Sequence, residues 1–187
     1  NHYRSLRNEI GIPENSVLCV VGNNEFDEVV RLAEEYAGTR REGVKLRDDL
    51  DIKKRISRDG ETRGDIVQSN LALGFHFPLL SERERASALL FSAILGEGMS
   101  SKLFSEVREK RGLVYGVKTD LDIGRNYGYL VIWAGTDPAK VNDVIKISLE
   151  EFKKMGDISE DELAEAKVQV IGGHLVGSEG SNETAVE

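Results

Sequence analysis

The sequence lacks several features that whole classes of protein require. Its 187 residues include one cysteine, one tryptophan and 3 prolines. The single cysteine, Cys19, excludes an internal disulfide framework and a cysteine-based metal cluster, and it fits a reducing, cytoplasmic compartment. No stretch approaches the ~20 apolar residues that span a bilayer, and the first residues do not form a signal peptide, so we expect no membrane partner.

Basic residues are in the minority. The 25 Lys and Arg against 33 Asp and Glu give a formal net charge of -8. Because nucleic-acid binding depends on clustered basic residues, this balance argues against nucleic acid as a partner. A content of 40% hydrophobic and 31% charged residues is typical of a globular protein with one sizeable core. The chain has no initiator Met, and we therefore expect a processed product or part of a longer polypeptide.

The periodicity of the apolar residues predicts alternating strands and helices. The predicted elements are a buried strand at 17–21, a helix at 26–37, an edge strand near 52–57, a strand at 66–77, helices at 82–95 and 101–111, strands at 114–121 and 127–134, and helices beginning near 138 and 159. Ser159 and Glu162 form a capping box, and Gly98 and Gly112 mark helix boundaries. This order predicts an α+β fold in two layers, with helices on one face of a mostly antiparallel sheet.

Residues that carry catalysis in other enzymes are sparse or badly spaced. None of His2, His76 and His174 has a second histidine three to five residues away, as a zinc site would need. The segment 96–102 looks superficially like a phosphate loop, but a helix precedes it and it lacks an adjacent Gly-Lys pair. No Gly-x-Ser-x-Gly elbow occurs. The sequence therefore predicts no metal site, no cofactor site and no covalent nucleophile in this chain.

The segment 98–115 carries the most informative motif. It resembles the signature of the non-zinc half of the insulinase/pitrilysin-type (inverzincin) zinc peptidases, similar to mitochondrial processing peptidase and to short bacterial and archaeal zinc proteases. In that family a Gly-rich turn leads into a helix that ends in Arg-Glu-Lys-Arg-Gly-Leu, followed by an aromatic residue. The resemblance continues, in order, at 12–22, 68–75, 127–129, 134–138 and 158–163.

The resemblance implies a fold, a division into domains and a set of partners. The fold is a partial mitochondrial-processing-peptidase-like metallohydrolase fold. Residues 1–42 would be the terminal strand and helix of a preceding peptidase domain, 43–64 a charged connector, and 65–187 a non-zinc domain truncated at its carboxyl end. Zinc would be bound outside this chain, by an H-x-x-E-H domain or subunit. Together the two halves would cleave unstructured peptides, whereas this chain alone would be inactive.

Two site residues are implied by the same resemblance. Arg108 and Tyr115 match an Arg and a Tyr, seven positions apart, that hold substrate and polarise the scissile carbonyl. A guanidinium can bond a peptide carbonyl, and a phenol can donate to a developing oxyanion. The plainer alternative is that Arg108 lies on a solvated ion-pair face and Tyr115 is a core residue of a strand.

Other functions remain open at this point. The chain could be a non-catalytic subunit or a structural homologue that keeps the fold without zinc. It could also be a generic α+β interaction domain, in which replacing Arg108 or Tyr115 has no effect on proteolysis. In any of these cases, a strand at 17–21 without its own sheet would expose apolar surface and favour self-association.

Overall fold

The structure, a computed structural model, describes residues 16–36, 55–77, 80–124 and 127–180. The chain divides into two compact units, one formed by residues 1–49 with 173–187 and the other by residues 50–172. The larger unit contains the sheet and both predicted site residues. The domain boundaries predicted at residues 42 and 64 stay a prediction.

In the described residues of the smaller unit, one helix lies wholly within it, α1 (Phe26–Tyr36), which has no buried residue. Residues 16–21 form no strand, and Val17 is 90% exposed. The predicted buried strand at 17–21 is therefore wrong for this chain. A strand needs a neighbour that pairs with its backbone groups, and the described residues of this unit provide none.

The larger unit alternates strands and helices largely as predicted. Its elements are β1 (Ser69–His76), α2 (Glu82–Gly96), a π-helix (Phe104–Glu109), β2 (Val114–Ile123), β3 (Gly128–Thr136), a 3₁₀-helix (Pro138–Lys140), α3 (Val141–Lys154) and α4 (Glu160–Gly177), whose last turns belong to the smaller unit. Of the edge strand predicted near 52–57, residues 52–54 lie outside the described ranges, and residues 55–57 adopt no regular structure.

The described strands form one antiparallel sheet in the order β1-β3-β2. Leu73 pairs with Ile132, which in turn pairs with Thr119, so these side chains lie on the same face. That face contacts the helices, and the alternation between buried and exposed residues is clearest along β1 and β3. The predicted α+β class, with helices on one face of an antiparallel sheet, is confirmed.

The core lies between the sheet and the helices. Its buried apolar residues come from α2, the turn before the π-helix, the π-helix, β2, β3, α3 and α4, and include Leu95, Leu103, Val107, Leu130, Ile132, Val144 and Ala166. Three aromatic rings pack together where β1 contacts this core. Phe75 stacks on Phe152 with 4.3 Å between ring centroids, and Phe91 meets Phe152 edge-on at 5.3 Å.

Two capping boxes fix the start of helices. The box predicted at α4 is confirmed, since the Glu162 carboxylate accepts from the Ser159 N–H at 2.9 Å and Ser159 Oγ accepts from the Glu162 N–H at 3.2 Å. Lys102 also forms an ion pair with Glu162, which joins the segment before the π-helix to α4. Sequence analysis missed the second box, formed by Ser81 and Glu84 at the start of α2.

Two fully buried serines are predicted to differ in their effect on stability. Within the described residues, Ser148 Oγ has no hydrogen-bond partner, whereas Ser92 Oγ donates to Glu97 Oε1 at 2.7 Å. Ser148→Ala removes an unsatisfied polar atom and should leave the free energy of unfolding unchanged or raise it by up to about 1 kcal/mol. Ser92→Ala should lower it by about 1–3 kcal/mol. Urea denaturation of both variants measures this difference, and equal losses would contradict the prediction.

Candidate functional site

The turn between α2 and the π-helix depends on a glycine and a serine. Gly98 has φ +80°, a conformation that side chains with a Cβ rarely adopt. Ser101 Oγ donates to the Gly98 carbonyl at 2.9 Å and accepts from the Phe104 N–H at 3.4 Å. Gln169 of α4 also donates to the Glu97 carbonyl at 3.0 Å, so the turn is held from both sides.

The segment predicted as a second helix is mainly a π-helix. The Lys110 N–H bonds the Ser105 carbonyl at 2.9 Å, five residues back, where an α-helix would use the fourth. At its end the Leu113 N–H bonds the Val107 carbonyl at 3.0 Å, and Gly112 takes φ +56°. These bonds bring the start of β2 back against the last turn of the π-helix. The segments that carry Arg108 and Tyr115 therefore lie next to each other.

Arg108 projects from the last turn of the π-helix and is exposed. Its guanidinium carbon lies 4.8 Å from the centroid of the Phe104 ring, four residues earlier, in a cation–π contact. Within the part of the chain that the structure describes, Arg108 forms no ion pair. Its donors are therefore available to an acceptor from outside the described residues.

The other basic residues of this turn are paired. Lys110 and Arg111 both form ion pairs with Glu106, and Arg111 also donates to the Glu106 carbonyl at 2.7 Å. The hydrogen bonds from Lys110 and Arg111 lower the pKa of Glu106 to about 2 from 4.5. Glu106 thus holds two cations in fixed positions and leaves Arg108 as the unpaired one.

This pair of contacts predicts a pH dependence of stability. Because the pKa of Glu106 is lower in the folded state than in the unfolded state, its contribution is complete above pH 4.5 and is lost as the pH falls towards about 2. Glu106→Gln should abolish that part of the acid destabilisation. Urea unfolding of both proteins between about pH 6 and pH 2 measures it. Parallel curves for the two proteins would count against the assignment.

Tyr115 lies at an irregularity in β2. The register shifts between Val114, which pairs with Thr136, and Gly116, which pairs with Gly135, so Tyr115 is the extra residue of a β-bulge. Bulges re-aim side chains and are common beside active sites. Val114 is buried, whereas Tyr115 is 67% exposed. The alternative that Tyr115 is a core residue is therefore wrong.

The two segments offer two exposed hydrogen-bond donors, the charged guanidinium of Arg108 and the neutral phenol of Tyr115. A guanidinium and a phenol in this relation suit a ligand that presents carbonyl oxygens, such as a peptide. Sequence analysis missed the supporting roles of Phe104 and Glu106. Their spacing was the available signal, since Phe104 lies four residues before Arg108, and Glu106 lies four residues before Lys110.

The described residues do not offer a zinc site. Within residues 16–36, 55–77, 80–124 and 127–180, no three His, Cys, Asp or Glu side chains are grouped so that they could hold a metal ion. Cys19 is a free, exposed thiol. In the same ranges no helix is both long enough and apolar enough to cross a membrane.

Sequence comparison relates nearly the whole chain to one family. A family model described as the peptidase M16 inactive domain matches residues 4–170. An uncharacterized zinc protease of Mycobacterium leprae is 35% identical in an alignment of 178 positions that covers 91% of this chain and 40% of that protein. One from Mycobacterium tuberculosis H37Rv is 32% identical over the same shares of both chains. The chain thus spans about 40% of the length of these curated relatives.

Solved structures show the same relation. A peptidase M16 inactive domain from Pseudomonas fluorescens is 29% identical with a TM-score of 0.53, over 58% of this chain and 27% of that one. A protease from Helicobacter pylori has a TM-score of 0.69 at 22% identity, over 88% of this chain and 42% of that one. At that identity the second likeness concerns the fold alone.

Proposed function

The chain belongs to the peptidase M16 inactive-domain family, and from this premise we propose that it is the non-zinc half of a zinc-dependent metalloendopeptidase. In this proposal it closes the reaction chamber and binds peptide substrate. The observation that carries the proposal is that two exposed donors, Arg108 and Tyr115, lie on two consecutive elements that contact each other. Within the described residues Arg108 forms no ion pair, and Tyr115 is 67% exposed.

Each donor has a separate role. The Arg108 guanidinium binds a carbonyl oxygen of the peptide backbone and so positions the substrate. The Tyr115 phenol donates to the scissile carbonyl as its oxygen gains negative charge. The contact with Phe104 keeps the Arg108 side chain extended over a ring, which lowers the entropy lost when a substrate binds.

The catalytic metal belongs to the partner in this proposal. Zinc would be held by an H-x-x-E-H domain or subunit, where it would supply Lewis-acid chemistry. The exposed apolar side chains of 17–21 support docking of the smaller unit onto that partner, or self-association when the partner is absent. The free thiol of Cys19 supports a reducing, cytoplasmic location.

Arg108→Ala tests the proposal. The chain is mixed with a candidate half that bears H-x-x-E-H, and cleavage of an unstructured fluorogenic peptide is measured. We expect activity only in the mixture, and we expect Arg108→Ala to lower kcat/KM by about 10- to 100-fold, the loss of a hydrogen bond from a charged group. Lys110→Ala is the matched control, since its ammonium is engaged by Glu106 and it should stay within about twofold.

Co-elution on size exclusion must accompany the assay, because it shows whether the halves have assembled. Assembly without activity in any combination would favour a non-catalytic subunit or a structural homologue. Equal losses for Arg108→Ala and Lys110→Ala would indicate a general charge effect and contradict the assigned role.

A further inference from the structure

The face of the sheet that points away from the helices has a gap in its side chains. Next to the bulge, Gly116 of β2 pairs with Gly135 of β3. Two neighbouring positions on this face therefore carry no side chain. In the next row, Trp133 stands between Ala72 and Lys118. A large ring therefore stands beside two glycines, and glycine in strand interiors often marks a place where a ligand approaches the backbone.

This gap is an open pocket of about 350 Å³. Its lining includes Gln68, Asn70, Gly116, Lys118, Trp133 and Gly135. The volume lies at the lower end of the range for small-ligand sites and suits one large side chain with its flanking backbone. Gly116, one of the lining residues, directly follows Tyr115 in the chain.

The walls of the pocket differ in chemistry. Trp133 is 42% exposed and provides an apolar wall. Carboxamides supply another part of the lining, since Gln68 Nε2 covers Gly135 where a Cβ would lie, and Asn70 Oδ1 lies 3.9 Å from the same point. A carboxamide can both donate to and accept from a peptide backbone. The pocket therefore pairs an aromatic surface with groups that bond extended backbone.

Lys118 gives the pocket a charge preference. It lies directly across from Trp133, is exposed, and forms no ion pair within the described ranges. Its ammonium can reach a carboxylate next to a side chain that stacks on the indole. The complementary ligand combines an aromatic or large aliphatic group with a neighbouring negative charge.

We propose that this pocket is a substrate side-chain subsite. It takes an aromatic or large aliphatic side chain of an extended peptide against Trp133, and the adjacent acidic group of that peptide pairs with Lys118. The proposal rests on the proposed function, because it gives the substrate class of the same surface. Gly116 lines the pocket and follows Tyr115 in the chain, so the subsite is proposed next to the carbonyl that Tyr115 would contact.

The single tryptophan of the chain makes the test direct, since all tryptophan emission comes from the pocket. Capped dipeptides are titrated into the 187-residue chain while the emission of Trp133 is recorded. We expect a saturable blue shift with acetyl-Phe-Asp-amide. Affinity should fall roughly tenfold or more for acetyl-Ala-Asp-amide, which lacks the large side chain. Acetyl-Phe-Lys-amide should bind more weakly, and Lys118→Met should erase the difference between the Asp and Lys peptides.

Gly116→Val fills the pocket and should weaken acetyl-Phe-Asp-amide binding at least tenfold. Gly74→Val is its matched control, since both glycines lie on exposed strand positions where an added Cβ meets nothing within 4 Å, and Gly74 does not line the pocket. Circular dichroism confirms folding of both. Absence of a saturable shift, or equal binding by both variants, overturns the proposal.

One further outcome is distinguished by the same experiment. A blue shift that grows with protein concentration and needs no peptide would indicate a second copy on this face, and it would overturn the peptide subsite. The measurement of Trp133 emission needs neither the zinc half nor hydrolysis. If no peptide binds in this measurement, the cleavage assay with Arg108→Ala can still test the proposed function. Failure of that assay likewise leaves the binding result intact.

Discussion

Tyr115→Phe is expected to lower the kcat of the assembled peptidase by about 10²- to 10³-fold with little change in KM. The substitution removes one hydroxyl and keeps the ring. If the phenol donates to an oxygen that becomes charged only in the transition state, the loss must fall on kcat. Steady-state kinetics of the assembled halves on a fluorogenic peptide measure both constants.

The prediction requires a Tyr115 hydroxyl that no other described group engages. The bulge leaves the Tyr115 side chain 67% exposed, and within the described residues no hydrogen bond to its hydroxyl is present. Tyr127→Phe is a suitable control, since the Tyr127 hydroxyl contacts Asp122 at 3.4 Å near the hairpin. A rise in KM with unchanged kcat would make Tyr115 a ground-state anchor and contradict the assigned role.

Leu103→Ala should lower the free energy of unfolding by about 2–5 kcal/mol. Leu103 is 0% exposed and enters the core directly before the π-helix that carries Arg108. Truncation to alanine removes buried apolar contacts and leaves a cavity in a packed interior. The total free energy of unfolding of a small domain is about 5–15 kcal/mol, so this loss is a large share of it.

Met99→Ala provides the comparison from the same segment. Met99 is 76% exposed, so its truncation should change stability by no more than about 0.5 kcal/mol. Urea denaturation followed by circular dichroism measures both variants. Similar losses for the two would mean that the segment is not packed as described.

The features that the sequence predicts well are local ones. Ser159 and Glu162 form their capping box because the motif needs only four consecutive residues. Gly98 and Gly112 both take positive φ, as expected at helix boundaries. The α+β class follows from the order of amphipathic segments, since each must cover its apolar face.

The features that the sequence predicts poorly depend on residues that are distant along the chain. The bulge at Tyr115 exists because Val114 and Gly116 pair with successive residues of β3, which no window around Tyr115 reveals. Periodicity cannot separate the π-helix from an α-helix over six residues. The apolar run at 17–21 has strand composition, but pairing requires a neighbour, and the described part of its unit contains none.

The strand order β1-β3-β2 also bears on how the sheet assembles. β2 and β3 are joined by a short hairpin, in which Ile123 pairs with Gly128, whereas β1 pairs with β3 across the whole of α2, the π-helix and β2. Closing that long loop costs more chain entropy before any contact repays it. We therefore expect the hairpin to form before β1 docks on it, with Phe75 then stacking on Phe152. In the folded protein, the reverse opening would release β1 before the hairpin that carries Tyr115 and Trp133 comes apart.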